Sequence, residues 1–187
     1  MTGRLDGKVA IITGAARGQG EAEARRFAAE GASVLLTDVL DEEGAAVAVS
    51  LGPVAAYRHL DVTSEDDWES AVAEAEDRFG PISVLVNNAG ILDFGPIHKQ
   101  DVARFRSVLD VNLVGPLIGM KAVAPSMKRA GGGSIINVSS MLAHGGPPNL
   151  ATYSASKAAL NTLTKSVANT VKREGIRAFA INLGWVH

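Results

Sequence analysis

Tyr153 and Lys157 lie four residues apart in Tyr-Ser-Ala-Ser-Lys, and Ser139 and Ser140 close an apolar run about a dozen residues upstream. These residue types can move a proton. A phenol with a reference pKa of about 10 is a weak acid or base at neutral pH, but an ammonium beside it favours the phenolate. Residues four apart share a helix face, so the spacing allows that coupling. A serine hydroxyl nearby can donate to an oxygen on which charge develops. A Tyr-x-x-x-Lys pair also occurs in helices that carry no chemistry, so the remaining sequence decides its meaning.

A second set of residues suits a nucleotide. Thr13-Gly14-Ala15-Ala16-Arg17-Gly18-Gln19-Gly20 follows a short apolar run and opens a helical pattern. Glycines at Gly14, Gly18 and Gly20 allow a tight turn and bring backbone N–H groups close to a pyrophosphate at the positive end of a helix. Three glycines can also serve only as a βα turn, but this loop follows the first strand of a βαβ unit, where a dinucleotide binds. Asp38 closes the next apolar run, where a carboxylate accepts hydrogen bonds from the ribose hydroxyls of an adenosine and repels a 2′-phosphate. Arg17 would suit such a phosphate. Asp38 outweighs it, and the expected cofactor is NAD.

These residues need elements to position them. Residues 9–13, 33–37, 54–59, 82–87, 134–139 and 176–181 read as strands, several of them apolar at nearly every position, as in a parallel sheet covered on both faces. Helical patterns over 18–30, 41–51, 64–79, 101–129 and 153–174 alternate with them. The pattern predicts an α/β, doubly wound parallel sheet of Rossmann type with helices on both faces. Thr63 or Ser64 caps the acidic run Glu65, Asp66, Asp67, and Gly31 and Gly175 suit helix ends.

The chain has 187 residues, 47% of them hydrophobic, which fits one domain over 1–187. A net charge of -2 without like-charge blocks points to no nucleic acid and no membrane surface. The absence of cysteine excludes disulfides and thiolate sites, and His59, His98, His144 and His187 lack metal-ligand spacing. No signal-peptide pattern or apolar stretch near eighteen residues is evident, so a cytoplasmic location is expected.

In order along the chain, the glycine loop, Asp38, Asp61-Val62, Asn87-Asn88-Ala89-Gly90, Asn112, Ser140, Tyr153 and Lys157 resemble the short-chain dehydrogenase/reductase family. The segments around Asp38–Gly44, His59–Thr63 and Gly131–Ile135 are similar to members that act on hydroxysteroids. The resemblance implies an NAD-dependent oxidoreductase that interconverts a secondary alcohol and a ketone. It implies that Tyr153 exchanges the proton, Ser140 holds the substrate oxygen, Lys157 assists Tyr153 and holds the nicotinamide ribose, and Asn112 carries a water relay. The implied cofactor contacts are Gly14, Arg17, Gly18, Gln19, Gly20, Asp38, Asp61, Val62, Asn88, Ala89, Gly90, Tyr153, Lys157 and Val186. The family spacing selects Ser140 over Ser139.

Two departures stand against this pattern. Leu183-Gly184 replaces the family's Pro-Gly, and the chain stops at His187, before the family's lid, further helix and final edge strand. A catalytically incompetent dinucleotide-binding or regulatory module is therefore a second expectation, while a methyltransferase leaves Tyr153 and Lys157 unexplained. The segments 91–98 and 141–152 are expected to face a hydrophobic alcohol or ketone. Ala155, Ala158 and Ala159 suit close helix pairing in a homo-oligomer, dimer or tetramer.

Overall fold

The computed structural model describes residues 3–184. Six parallel strands, β1 (Val9–Thr13), β2 (Ser33–Asp38), β3 (Ala55–His59), β4 (Val84–Asn87), β5 (Gly133–Ser140) and β6 (Ile176–Leu183), form one sheet in the order β3-β2-β1-β4-β5-β6. The order reverses between β1 and β4, and the ends of neighbouring strands diverge there to leave a crevice.

Alternation along the strands explains the two layers. Val9 and Ile11 join Leu35, Leu85 and Ile135 in a core with Trp68, Val123 and Met127 from α3 (Glu65–Phe79) and α5 (Gly115–Arg129). Ala10 and Ile12 turn the other way and join Val34, Leu36 and Val86 with Ala24 of α1 (Gly18–Ala29) and Val47 of α2 (Asp41–Leu51). Successive strand residues thus serve opposite layers, and nearly every position must be apolar. Helix α6 (Ala151–Val171) packs on β5 and β6. On β6, Phe179 and Ile181 remain exposed.

Differences from expectation have local causes. Ile82 was expected in a strand but lies before β4, with its N–H donated to Ser126 Oγ at 2.9 Å rather than to a neighbouring strand. Ser64, not Thr63, caps α3 by accepting from the Asp67 amide at 3.2 Å. The pattern over 101–129 is α4 (Val102–Leu109), a π turn (Asp110–Val114) and α5. Pro116 has no N–H to give to the carbonyl four residues back, that of Asn112, so the ladder is widened at this point. This whole helical run, Val102–Arg129, has a window of mean hydropathy 1.3, long and apolar enough by composition to cross a membrane. Its Ile118, Met120, Val123 and Met127 are instead buried in the core against the sheet.

Candidate active site

The glycine loop is shaped by positive backbone angles at Gly14 (φ 66°) and Gly18 (φ 59°), a region that favours glycine. A Cβ on Gly20 would stand 2.1 Å from the Gly14 carbonyl oxygen, so the third glycine lets α1 start against the turn. Gly20 thus packs behind the loop and does not line the crevice. The other side is fastened through Thr13, whose hydroxyl accepts the amides of Asn88 at 3.1 Å and Ala89 at 3.0 Å. Asn88 returns the contact, its Nδ2 donating to the carbonyls of Thr13 at 2.9 Å and Gly14 at 3.1 Å. Asn87 lies deeper, bonded to Asn137 at 2.8 Å, and steadies β4 against β5.

Between these segments lies a cleft of about 600 Å³ lined by Gly14, Arg17, Gly18, Asp38, Asp61, Val62, Asn88, Ala89 and Gly90, with Leu40, Ile91 and Val111. Asp38 is already engaged: Oδ2 accepts from Ala16 N–H at 3.0 Å, and Oδ1 from Val39 at 2.8 Å and Leu40 at 3.2 Å. A carboxylate has about four acceptor positions, so Asp38 both braces the loop and keeps room for a further donor. Asp61 accepts from the amide and hydroxyl of Thr63, and Val62 packs against Gly115, where a Cβ would come within 2.8 Å.

A smaller pocket of about 300 Å³ adjoins it and shares Asn88, Gly90 and Ile91. Gln19, Leu92, Val138, Ser139, Ser140, Tyr153, Lys157, Leu183 and Gly184 complete its lining. The Lys157 Nζ sits 5.8 Å from the Tyr153 ring centroid and donates to the Val138 carbonyl at 2.8 Å. Burial pushes the Lys157 ammonium down to about 8, because the charged form loses its hydration. Ser140 Oγ accepts from the Leu142 amide at 3.1 Å, whereas Ser139 Oγ donates to the Lys157 carbonyl at 3.3 Å. The two serines thus divide into one that braces the turn after β5 and one that ties β5 to α6.

Asn112 is fully buried in the π turn and lies behind both clefts. Its Oδ1 accepts from Ile91 N–H at 2.8 Å, while Nδ2 donates to the Ile91 carbonyl at 2.9 Å and to Ser156 Oγ at 3.1 Å. Ser156 in turn donates to the Tyr153 carbonyl at 2.7 Å. A Cβ on Gly90 would fall 3.3 Å from Asn112 Oδ1 and 3.5 Å from Lys157 Nζ, so the glycine keeps these groups close. Sequence reading included Thr13 and Ser156 within their motifs but gave neither a role; the signal was a small hydroxyl inside each motif. Val186 lies outside the described residues.

A glycine-lined cleft at the switch point of a parallel sheet, joined to a pocket holding a tyrosine and a buried lysine, defines a dinucleotide-binding α/β protein. The chain belongs to the short chain dehydrogenase family, whose profile matches residues 8–187. It is 48% identical over 186 residues to the 3-alpha-(or 20-beta)-hydroxysteroid dehydrogenase of Mycobacterium tuberculosis, an alignment covering 100% of this chain and 72% of that protein. It is 42% identical over 195 residues to the trans-4-hydroxycyclohexanecarboxylate dehydrogenase of Sinomonas cyclohexanicum, covering 100% of this chain and 75% of the relative. Galactitol 2-dehydrogenase of Agrobacterium fabrum is 42% identical over 184 residues, 98% of this chain and 72% of that one. The family is one of oxidoreductases that use a nicotinamide dinucleotide.

Proposed function

We propose that this chain interconverts a secondary alcohol and a ketone with NAD, using Tyr153 as the acid/base group. The observation that carries the reading is the junction of the two clefts, which sets Ser140, Tyr153 and Lys157 beside a glycine-lined cleft bounded by Asp38.

The cleft suits a dinucleotide on its own geometry. Gly18 faces open space at positive φ, so a side chain there would intrude where the loop amides can meet phosphate oxygens. Gly14, Arg17, Gly18 and Gln19 would hold the pyrophosphate, Asp38 the adenosine ribose, Asp61 and Val62 the adenine, and Ala89 and Gly90 the path towards the second pocket. The acceptor position left on Asp38 favours a ribose hydroxyl over a phosphate, which supports NAD over NADP. Bound there, NAD would supply the acceptor for the hydride that leaves the alcohol carbon.

The residues of the chain handle the proton. Tyr153 Oη takes the hydroxyl proton of the alcohol, and returns it when the ketone is reduced. Ser140 donates to the same substrate oxygen and stabilises its charge. Lys157 supplies a positive charge beside the ring; its low affinity for the proton when buried rises once a phenolate or ribose oxygen lies near. Asn112 holds the Ile91 backbone and, through Ser156, the turn of helix that bears Tyr153. A module that only binds a dinucleotide needs the first cleft alone and gives the second no purpose.

Leu92, Phe94 and Met141 are exposed beside the second pocket and favour an apolar substrate, for which a hydroxysteroid is the first choice. Exposed Val102 and Phe105 on α4, Val114 at the end of the π turn and Leu117 on α5, with the small Ala155 on α6, favour a homo-oligomer; a monomer in light scattering would rule it out. A core role for the Val102–Arg129 helix accords with a cytoplasmic enzyme, and co-sedimentation with membranes would contradict this. The central test follows NADH absorbance with hydroxysteroids and simpler secondary alcohols. Tyr153→Phe should remove turnover by about a thousandfold while NAD still binds, and wild-type rates in that variant would refute the assignment.

A further inference from the structure

The loop between β4 and α4 carries Leu92, Phe94 and Ile97 with their side chains largely exposed, yet its backbone is tied down at several points. Asn112 holds Ile91, and Arg104 donates to the Leu92 carbonyl at 3.2 Å. At the far end the ties reach the start of α6. Gly95 N–H donates to the Asn149 carbonyl at 2.9 Å. Asn149 adopts φ 64°, a left-handed conformation that a non-glycine residue keeps only where its surroundings hold it.

Gln100 spans this junction. Its Nε2 donates to the Gly95 carbonyl at 2.9 Å, and its Oε1 accepts from Thr152 Oγ1 at 2.9 Å. The amide orientation follows from the partners, because a carbonyl can only accept and so must face the NH₂. Thr152 is buried in the first turn of α6 and directly precedes Tyr153. The backbone at Gln100 is itself fixed, closing a 3-10 turn by donating to the Ile97 carbonyl at 3.3 Å and preceding Asp101, which caps α4 through the Ala103 amide at 2.9 Å. One half-buried side chain thus links the apolar loop beside the second pocket to the helix turn that bears the tyrosine.

We propose that Gln100 is a positioning residue for substrate: it fixes the Leu92–Ile97 loop against the first turn of α6, so that the apolar side chains and Tyr153 meet one ligand in a set geometry. The proposal rests on the alcohol dehydrogenase reading above for its substrate. The link itself is a structural coupling that can be measured without turnover. Both amide functions are needed. Thr152→Val removes the donor while keeping the branched shape, and Thr152→Ser restores it.

The test compares backbone deuterium exchange over residues 91–100 in the native chain, Gln100→Ala, Thr152→Val, the double variant and Thr152→Ser, alongside steady-state kinetics. Exchange at the Gly95 amide should rise about tenfold in each single variant, no further in the double variant, and not at all in Thr152→Ser. The KM for the alcohol should rise about tenfold in both single variants with the KM for NAD unchanged, since the dinucleotide cleft is untouched. Native exchange in Gln100→Ala, or additive effects in the double variant, would overturn the link. Raised exchange with an unchanged alcohol KM would overturn the positioning role. A native chain that turns over no alcohol sinks the proposed function instead, and the exchange comparison still decides whether Gln100 makes the link.

Discussion

Lys157 offers a test of the site that needs no substrate. Its ammonium is buried, and its proton affinity falls from the ordinary 10.5 to about 8 in the folded chain. Between those values the unfolded chain holds a proton that the folded chain has released, so stability rises with pH across this window. Below about pH 8 both states hold the proton and the folded state carries the whole penalty of the buried charge. The separation of about 2.5 pH units, at about 1.4 kcal/mol each, is worth about 3 kcal/mol. Lys157→Met removes the titration. To keep the neighbouring phenol from exchanging protons, both chains carry Tyr153→Phe. Unfolding in guanidinium is followed by fluorescence, since Trp68 is fully buried and its indole N–H is bonded to the Val62 carbonyl at 3.0 Å. The stability of the chain that keeps Lys157 minus that of the Lys157→Met chain should climb by about 3 kcal/mol from about pH 7 to about 10.5 and level off above. The absolute difference at neutral pH is smaller, because the variant also loses the bond to the Val138 carbonyl, worth about 1 kcal/mol. A difference that stays flat across this range, or one that falls as pH rises, refutes the account of Lys157 as a desolvated ammonium.

Two further outcomes follow from the dinucleotide cleft. Asp38→Ala should raise the KM for NAD at least about tenfold while changing that for NADP much less, with an added loss of about 2 kcal/mol of stability as the amides of Ala16, Val39 and Leu40 lose their acceptor; unchanged selectivity in steady-state kinetics would remove the ribose role. Gly20→Ala should lower the melting temperature by about 6 °C or more, because the new methyl would press on the Gly14 backbone carbonyl and on the Asn88 side-chain amide, which is itself held by the carbonyls of Thr13 and Gly14. A native melting temperature would mean that the loop yields where the packing says it cannot.

Much of the frame was legible because its signals are local. Strands buried on both faces must be apolar throughout, and helix starts carry caps such as Ser64, so the βα alternation can be read along the chain. The pattern over 101–129 reads as one continuous helix. Nothing local showed that Asp110–Val114 is a π turn that buries Asn112 against Ile91, 21 residues away in sequence. Ser139 and Ser140 are adjacent and alike in type; the spacing to Tyr153 selected Ser140, but not the partners that give each its local role, the Lys157 carbonyl for Ser139 and the Leu142 amide for Ser140.

The illegible part of the site has a common physical origin: a spacing names which groups can meet, but the number of bonds each group has left depends on distant backbone. Asp38 reads as a free carboxylate at a strand end, yet three amides already occupy it, and the loop it braces is the one proposed to face the phosphates. Lys157 reads as a cation one turn from a phenol. Its Nζ is in fact turned to the carbonyl of Val138 on β5, 5.8 Å from the ring centroid, in surroundings dry enough to weaken its hold on the proton. The same helical spacing on a solvated surface would leave the ammonium at its ordinary affinity. The chemistry proposed for Tyr153 therefore depends on β5 as much as on the turn it shares with Lys157, and a change at Val138 that shifted its carbonyl would alter the lysine without touching either motif residue.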